Sequence, residues 1–458
     1  MRSGELGFWW RSIGGPPPRR PSLAGSAQAD VAIVGAGFTG LWTAFYLKRA
    51  QPHLRIVVLE RETAGFGASG RNGGWVSGFF SGPGRVYARP GGNAGVRRLR
   101  RAMIDTVGEI VDVLNEHAID ADLVHNGQLS VAVNSAQLQR LREEIAAARV
   151  EGLDEGDLRE LSSSELSARV SVDGALGASF SPHVARAHPA KLVLGLARVV
   201  EEMGVEIYES TSVCEIRPRE AIADAGVVHA PWVVRATEGY TSSLRGLRRM
   251  LVTMNSSMVV TEPLDPSVWE QIGWQSSELL SDAAHVYVYL QRTADGRIAI
   301  GGRGVPYRYG SRDDGAGATA ASTVRSLHEQ LAAMFPALRG IGLEHAWSGV
   351  LGVPRDWCVS VDADPSSGLA WAGGYVGEGV AAANLAARTL RDLILGAPTE
   401  LTSLPWVGRR PRRWEPEPLR WAAIHGVYAL YRQADRLERG GARPSRLGSL
   451  VDALSGRH

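Results

Sequence analysis

An α/β fold in two parts is predicted: a doubly wound domain on a mainly parallel sheet, which the chain leaves and re-enters, and a second α+β domain built on a mainly antiparallel sheet. Three stretches carry the prediction. Between Val31 and Glu60 a short apolar strand, a glycine-rich turn, a helix and a second strand follow within about thirty residues, the opening of a doubly wound unit. Between Thr253 and Gly302 the strand signals alternate, and Asp295-Gly296 supplies hairpin chemistry. From Leu369 the α/β rhythm returns, with LAWAGG leading into a helix from about Gly379 to Leu395.

Composition bounds the rest. The chain has 458 residues, 44% hydrophobic and 21% charged, which excludes disorder, collagen and a coiled coil. No apolar run reaches the ~18 residues of a membrane span; the best candidate, Val31 to Leu47, is broken by Gly35, Gly37 and Gly40. The opening MRSGELGFWW lacks the apolar core of a secretory signal, so a cytoplasmic protein is expected. Cys214 and Cys358 are the only cysteines, which argues against a disulfide framework or a thiolate zinc site, and no metal-ligand spacing stands out, so no metal is expected. The net charge of +2 comes from arginines dispersed along the chain, except around Arg409 to Arg413, with Lys48 and Lys191 the only lysines; nucleic-acid binding is not expected.

Taken in order, residues 1–29 read as an irregular arm, because Gly14, Gly15 and the prolines from Pro16 continue neither helix nor ladder. Val31 to Val34 is a buried strand, Thr39 to Ala50 a helix that Pro52 stops, and Arg55 to Glu60 a second strand. The loop Gly65 to Gly74 has almost no side-chain bulk. Helices are predicted over Val96 to His117, Ala136 to Ala147 and Lys191 to Met203. Strands are predicted at Gln128 to Val133, around Ile207 and Val213, and in MVVT, HVYVYLQ and RIAIGG between Thr253 and Gly302. Two further helices, Leu419 to Arg439 and Ser445 to Leu454, close the chain.

Chemistry concentrates at Gly35-Ala36-Gly37-Phe38-Thr39-Gly40. Gly35 allows the tight turn, Gly37 lets backbone approach a pyrophosphate, and Gly40, with Ala44 and Leu47, permits close packing of helix on sheet. The helix N-terminus then offers unpaired N–H groups and about half a positive charge. Glu60, ending the next strand, is placed to accept from an adenosine ribose and to repel a 2′-phosphate. A dinucleotide is the expected ligand.

The fingerprint DVAIVGAGFTGLWTAFYL, the loop GASGRNGG (Gly67 to Gly74), VVRATEGY (Val233 to Tyr240) and WAGGYVGEGV (Trp371 to Val380) together resemble the FAD-dependent D-amino-acid oxidase superfamily over nearly the whole chain. The wording is nearest its γ-glutamylputrescine oxidase branch. The resemblance implies a Rossmann-like FAD-binding domain in three pieces (30–100, 180–250 and 345–400), a substrate domain (101–179 and 251–344) and an Arg-rich C-terminal helical tail (401–458). It also implies FAD and hydride transfer from a C–H next to nitrogen. Residue by residue, it assigns Gly35, Gly37, Gly40 and Glu60 to pyrophosphate and ribose. Ala68, Ser69, Arg71, Asn72 and Gly73 fall in the loop running toward the flavin, and Val213 at adenine. Thr237 and Gly239 form a turn beside FAD, and Gly374, Tyr375, Gly377 and Gly379 a second helix N-terminus at the flavin's pyrimidine edge.

Two departures matter. The amino-acid oxidases place a carboxylate-clamping arginine a few residues after Trp-x-Gly; here Trp347-Ser348-Gly349 is followed by Val350 and Leu351, so a free α-amino acid is disfavoured. The cysteine that attaches FAD in sarcosine oxidases falls near Gly349, while Cys358 lies further on and reads as a buried packing residue, so noncovalent FAD is expected. No lysine stands around Arg297 to Gly301, where those enzymes activate oxygen, leaving oxygen or another electron acceptor open. Candidates facing a small-molecule amine substrate are Tyr287, Tyr289, Arg303, Tyr307, Trp347 and His188. The Arg-rich segment from Trp406 to Trp414 reads as solvated and packed on the FAD-binding domain, with an oligomer contact as its alternative. The expected activity is oxidation of a primary or secondary amine to an imine. The alternatives are 2-hydroxy-acid or amino-acid oxidation on the same fold, or a flavin-binding subunit without catalysis.

Overall fold

In the computed structural model residues 1–313, 315–440 and 445–455 are described; 441–444 and 456–458 of the expected tail, and residue 314, lie outside the described residues. The parallel sheet runs Glu206–Tyr208, Ile56–Leu59, Val31–Val34, Trp232–Arg235, Leu369–Gly373, with Ser360–Asp364 antiparallel at its edge. Val31–Val34 and Ile56–Leu59 are buried at every position, so both faces need covers. Val31, Ile33, Ile56 and Val58 point into a core shared with the helices Phe38–Ala50 and Gly379–Leu395. Ala32, Val34, Val57 and Leu59 point the other way. There the cover is a small sheet, Val213–Arg217, Glu220–Ala223, Val227–His229 and Ala27–Gln28, rather than the helices of a fully doubly wound domain.

The second sheet has nine strands in the order Arg2–Ser3, Leu343–Val353, Val252–Thr261, Ile298–Gly302, Tyr289–Arg292, Leu279–Asp282, Gln128–Ala132, Gly177–Ser181 and Arg159–Ser162. It is antiparallel except where Arg2–Ser3 joins Leu343–Val353 and Leu279–Asp282 joins Gln128–Ala132. The predicted hairpin is present, Gly296 adopting φ +76° between its strands. HVYVYLQ is a strand only from Tyr289, because the N–H groups of His285 and Val286 donate instead to Asp435 on the helix Leu419–Gly440. Among the described residues no helix is long and apolar enough to cross a membrane.

Three boundaries differ from the sequence expectation. The supposed irregular arm contributes the edge strand Arg2–Ser3 and the helix Phe8–Ser12, and it buries Phe8, Trp9 and Trp10 against Trp347. Residues 101–116, expected in the substrate domain, continue the helix Gly84–Glu116, and Met103, Val107, Ile110 and Val113 pack into the parallel-sheet core. Residues 345–353, expected in the FAD-binding domain, belong to the nine-stranded sheet. Helical periodicity locates such elements but does not say which sheet their apolar face meets.

Candidate functional site: a cleft between two glycine turns

The first turn is set by contacts that exclude side chains. Gly35 adopts φ +107°, and a Cβ there would lie 2.6 Å from the Ala236 carbonyl oxygen; at Gly40 it would lie 1.9 Å from that of Gly35. Gly37 caps the helix Phe38–Ala50 without a side chain, so Ser69 Oγ reaches in and accepts from the Phe38 N–H at 2.8 Å. Glu60 holds the turn from below, accepting from the N–H groups of Ala36 (2.8 Å) and Glu62 (3.0 Å), while burial raises its pKa.

A cleft of about 1350 Å³, counting its open mouth, starts at Thr211 to Cys214 and passes Gly35, Gly37 and Glu60 on one wall and Ala68, Ser69 and Asn72 on the other. It ends at Val350, Leu351, Tyr375, Gly377 and Gly379, with Thr237 and Gly239 midway. Asn72 braces its loop, donating to the carbonyls of Ala68 and Ser69 and accepting from Gly74 N–H. Tyr375 joins the two turns through a 2.9 Å bond between its hydroxyl and Thr39 Oγ1. The donor set and shape suit FAD: two helix N-termini, Phe38–Ala50 and Gly379–Leu395, open into one channel that side chains at the glycines would fill.

Of the cofactor-side expectations, Gly35, Gly37, Glu60, Ala68, Ser69, Asn72, Val213, Thr237, Gly239, Tyr375, Gly377 and Gly379 line this cleft. Gly40 lies outside the lining and acts through packing. Arg71 turns away; its guanidinium donates to the carbonyls of Phe66 and Gly315, tying the loop to neighbouring segments. Gly73 lies under Tyr289, and Gly374 donates to Glu238 at 2.9 Å.

The substrate-side candidates scatter. Tyr289 stands over Gly73, its hydroxyl 2.9 Å from Ser256 Oγ and its ring edge-on to Trp75. Arg303 lies beside Tyr287, Tyr289 and Tyr428, with its Nη1 buried and without a hydrogen-bond partner. Tyr307 instead bonds Glu417 and packs with Trp357, Trp414 and Ile424, and Trp347 donates to the Arg71 carbonyl beneath the loop at 2.9 Å. His188 lines a separate cavity under the N-terminal arm. There its Nδ1 accepts from Lys191 N–H, Ser12 Oγ lies 2.9 Å from Nε2, and burial lowers its pKa to about 4. Cys358 is buried beside Tyr87, its thiol pushed up to about 12 by burial, whereas Cys214 is exposed and lines the cleft.

Sequence reasoning passed over three groups. Trp9 Nε1 donates to the Asn72 carbonyl at 2.8 Å, bracing the loop from beneath. Glu238 is half-buried between the turns, accepting from the N–H groups of Gly352, Gly374 and Tyr375, and desolvation of its carboxylate raises its pKa to about 7. Glu378 caps the helix Gly379–Leu395 and bonds Ser77, its pKa also raised by burial. Both carboxylates stand inside the quoted glycine segments; Glu378 is the one charged residue of WAGGYVGEGV, while Glu238 shares VVRATEGY with Arg235. A fourth cluster, His285, Asp435 and Glu438, brings its ligand atoms within 4.8 Å of one another. Arg140 donates to Glu438 there, and Asp435 accepts backbone amides, so the cluster pins the C-terminal helix to the sheet.

A parallel sheet feeding two helices that each follow a glycine turn, with an acid after the second strand, defines an adenine-dinucleotide flavoprotein of the oxidoreductase type. The chain belongs to the FAD dependent oxidoreductase family, whose model matches residues 30–393. It is 28% identical over 386 residues to gamma-glutamylputrescine oxidoreductase of Escherichia coli, covering 82% of this chain and 85% of that protein. Sarcosine oxidase subunit beta of Rhodobacter capsulatus is 22% identical over 402 residues, covering 83% and 88%. Among solved structures, glycine oxidase from Geobacillus kaustophilus superposes with a TM-score of 0.70 at 20% identity, over 84% of this chain and 100% of that one. L-proline dehydrogenase from P. horikoshii gives 0.66 at 18%, over 82% and 96%. These likenesses bear out the α/β flavoenzyme fold.

Proposed function

We propose that the protein oxidises a C–N bond of a primary or secondary amine to the imine, using noncovalently held FAD. The observation that carries this reading is the meeting of both glycine turns in one cleft whose inner end is walled by Val350 and Leu351. When bound, FAD supplies the hydride acceptor for a C–H next to nitrogen. The first turn and the Ser69 loop would hold its pyrophosphate, Glu60 its ribose, Val213 its adenine, and the N-terminus of Gly379–Leu395 would favour negative charge at its pyrimidine edge. The relatives named for γ-glutamylputrescine and sarcosine oxidation support an amine as substrate.

Leu351 is apolar where the amino-acid oxidases set their arginine, so an α-carboxylate at the reacting carbon would meet no bidentate donor there. Arg303 offers its unpartnered Nη1 among tyrosines, suited to an acidic end remote from that carbon. The burial of Cys358 and the exposure of Cys214 at the other end of the cleft support noncovalent attachment, and a free exposed thiol suits a reducing cytoplasm. Acid precipitation should leave the yellow colour in the supernatant; flavin retained in the pellet and lost on Cys358→Ala contradicts this. Anaerobic bleaching of the flavin across a panel of amines tests the activity, and a protein that no amine, amino acid or hydroxy acid bleaches is a flavin-binding subunit instead.

A further inference from the structure

The helix Leu419–Gly440 meets the rest of the protein along one face. Ile424 and Tyr428 pack with Met254, Tyr307 and Trp414, and Tyr431 and Ala434 are buried as well. The helix has two acids, Asp435 and Glu438, and both turn inward: Asp435 accepts from the N–H groups of His285 and Val286, and Glu438 pairs with Arg140 at 2.7 Å. The opposite face is apolar, where a surface helix ordinarily turns charge to water. Leu419, Ala423, Gly426, Leu430 and Leu437 recur along it at helical spacing, and the three leucines are 63%, 38% and 54% exposed in that order. By the same helical period Trp421, 40% exposed, and the exposed Arg432, Arg436 and Arg439 fall on one flank of the stripe. Among the described residues none of these three arginines forms an ion pair. Charge along the chain singles out the same segment. Residues 401–458 hold eleven arginines and five acids, while the whole chain carries only +2, so the remainder of the chain is net acidic.

We infer that this face docks on an anionic lipid bilayer surface. The inference does not rest on the amine reading. Lying in the plane of the interface, the helix sinks its leucines and Trp421 among the headgroups, while the arginine flank meets the negative charges of the lipid. Three leucines and a tryptophan alone give weak insertion; the arginines add an attraction that salt screens, so the docking is reversible. A second copy of the chain fits this face less well. A two-fold contact sets the patch against itself, and in either helix orientation the arginines then meet a helix that exposes no acid.

The test is flotation of the holoprotein with vesicles of phosphatidylcholine, alone or with phosphatidylserine added. The wild type should bind the phosphatidylserine vesicles at least about tenfold more tightly than the neutral ones, and lose that preference in about 1 M salt, where the Debye length falls to about 3 Å. Three variants follow, each checked for flavin content and melting temperature: Leu430→Asp on the stripe, Arg436→Glu on its flank, and Arg325→Glu, which makes the same charge change at an exposed position of a different helix, Ala321–Met334. Leu430→Asp and Arg436→Glu should each weaken binding about tenfold, and Arg325→Glu by less than about twofold. If Leu430→Asp lowers the melting temperature, Leu437→Ser at the more exposed leucine repeats the apolar arm. A wild type that does not bind phosphatidylserine vesicles overturns the inference, as does a loss in Arg325→Glu equal to that in Arg436→Glu, or full binding by the stripe variants. Sedimentation of the protein without lipid completes the test: the same species is expected with and without Leu430→Asp, and a dimer that this substitution dissociates would assign the stripe to a second copy and overturn the inference.

Discussion

Around Gly35 the cleft is made of backbone, whereas around Tyr289, outside the cleft's lining, side chains set the packing. At the first turn, close approaches between main-chain atoms set the shape, all contributed by residues within about thirty positions plus one neighbouring strand. Around Tyr289, by contrast, Ser77, Arg303, Glu378 and Tyr428 arrive from segments spread over much of the chain. A backbone site tolerates no added atom but is indifferent to most side chains nearby. A side-chain site is retuned by single substitutions, so relatives at 28% and 22% identity can share the first region while carrying names for different substrates.

The contrast is sharpest at Gly40. Gly40→Val puts its Cβ onto the Gly35 carbonyl, which no rotamer avoids, and should cost about 4 kcal/mol and leave the purified protein colourless. Retention of full FAD by this variant would break the distinction. Next in size is Trp9→Ala, which empties a packed site against Trp347 and His188 and removes the bond to Asn72. A loss of about 3–5 kcal/mol in chemical denaturation is expected, with weaker FAD binding; an unchanged midpoint would show the arm to be dispensable.

Glu238 links the two regions and gives a pH signature. Its folded pKa, about 7, lies above the ordinary carboxyl value, so the folded state holds the proton more tightly than the unfolded chain. Stability of the FAD-free protein therefore carries a contribution that is present at low pH and declines as pH rises from about 4.5 to about 7. Glu238→Gln should flatten that part of the melting-temperature profile, and a profile of unchanged slope would contradict the assignment. The smallest effect expected is at Tyr375→Phe, which removes the hydroxyl bond between the turns for about 0.5–1.5 kcal/mol without loss of FAD.

What could be read from sequence follows the same line. The strand-turn-helix unit at Val31 to Ala50, the hairpin at Asp295-Gly296 and the helix from Gly379 declare themselves through local period and turn chemistry. Phe8, Trp9 and Trp10 gave no such signal, because the partners that bury them, Asn72 and Trp347, are distant in sequence. For the same reason Tyr307 and Trp347, aromatic and near the right strands, stood as equal candidates with Tyr289 until their partners, Glu417 and the Arg71 carbonyl, were seen.

We propose that the cleft serves oxidation of an amine whose reacting carbon bears no carboxylate. Stopped-flow, anaerobic reduction of the flavin by matched pairs, each an amine and its α-carboxylated analogue, measures it directly. The amine lacking the α-carboxylate should bleach the flavin at least about tenfold faster, a barrier difference of about 1.4 kcal/mol. Faster bleaching by glycine, sarcosine or D-alanine by the same factor would contradict it, and would mean that a carboxylate clamp stands at the reacting carbon despite Leu351.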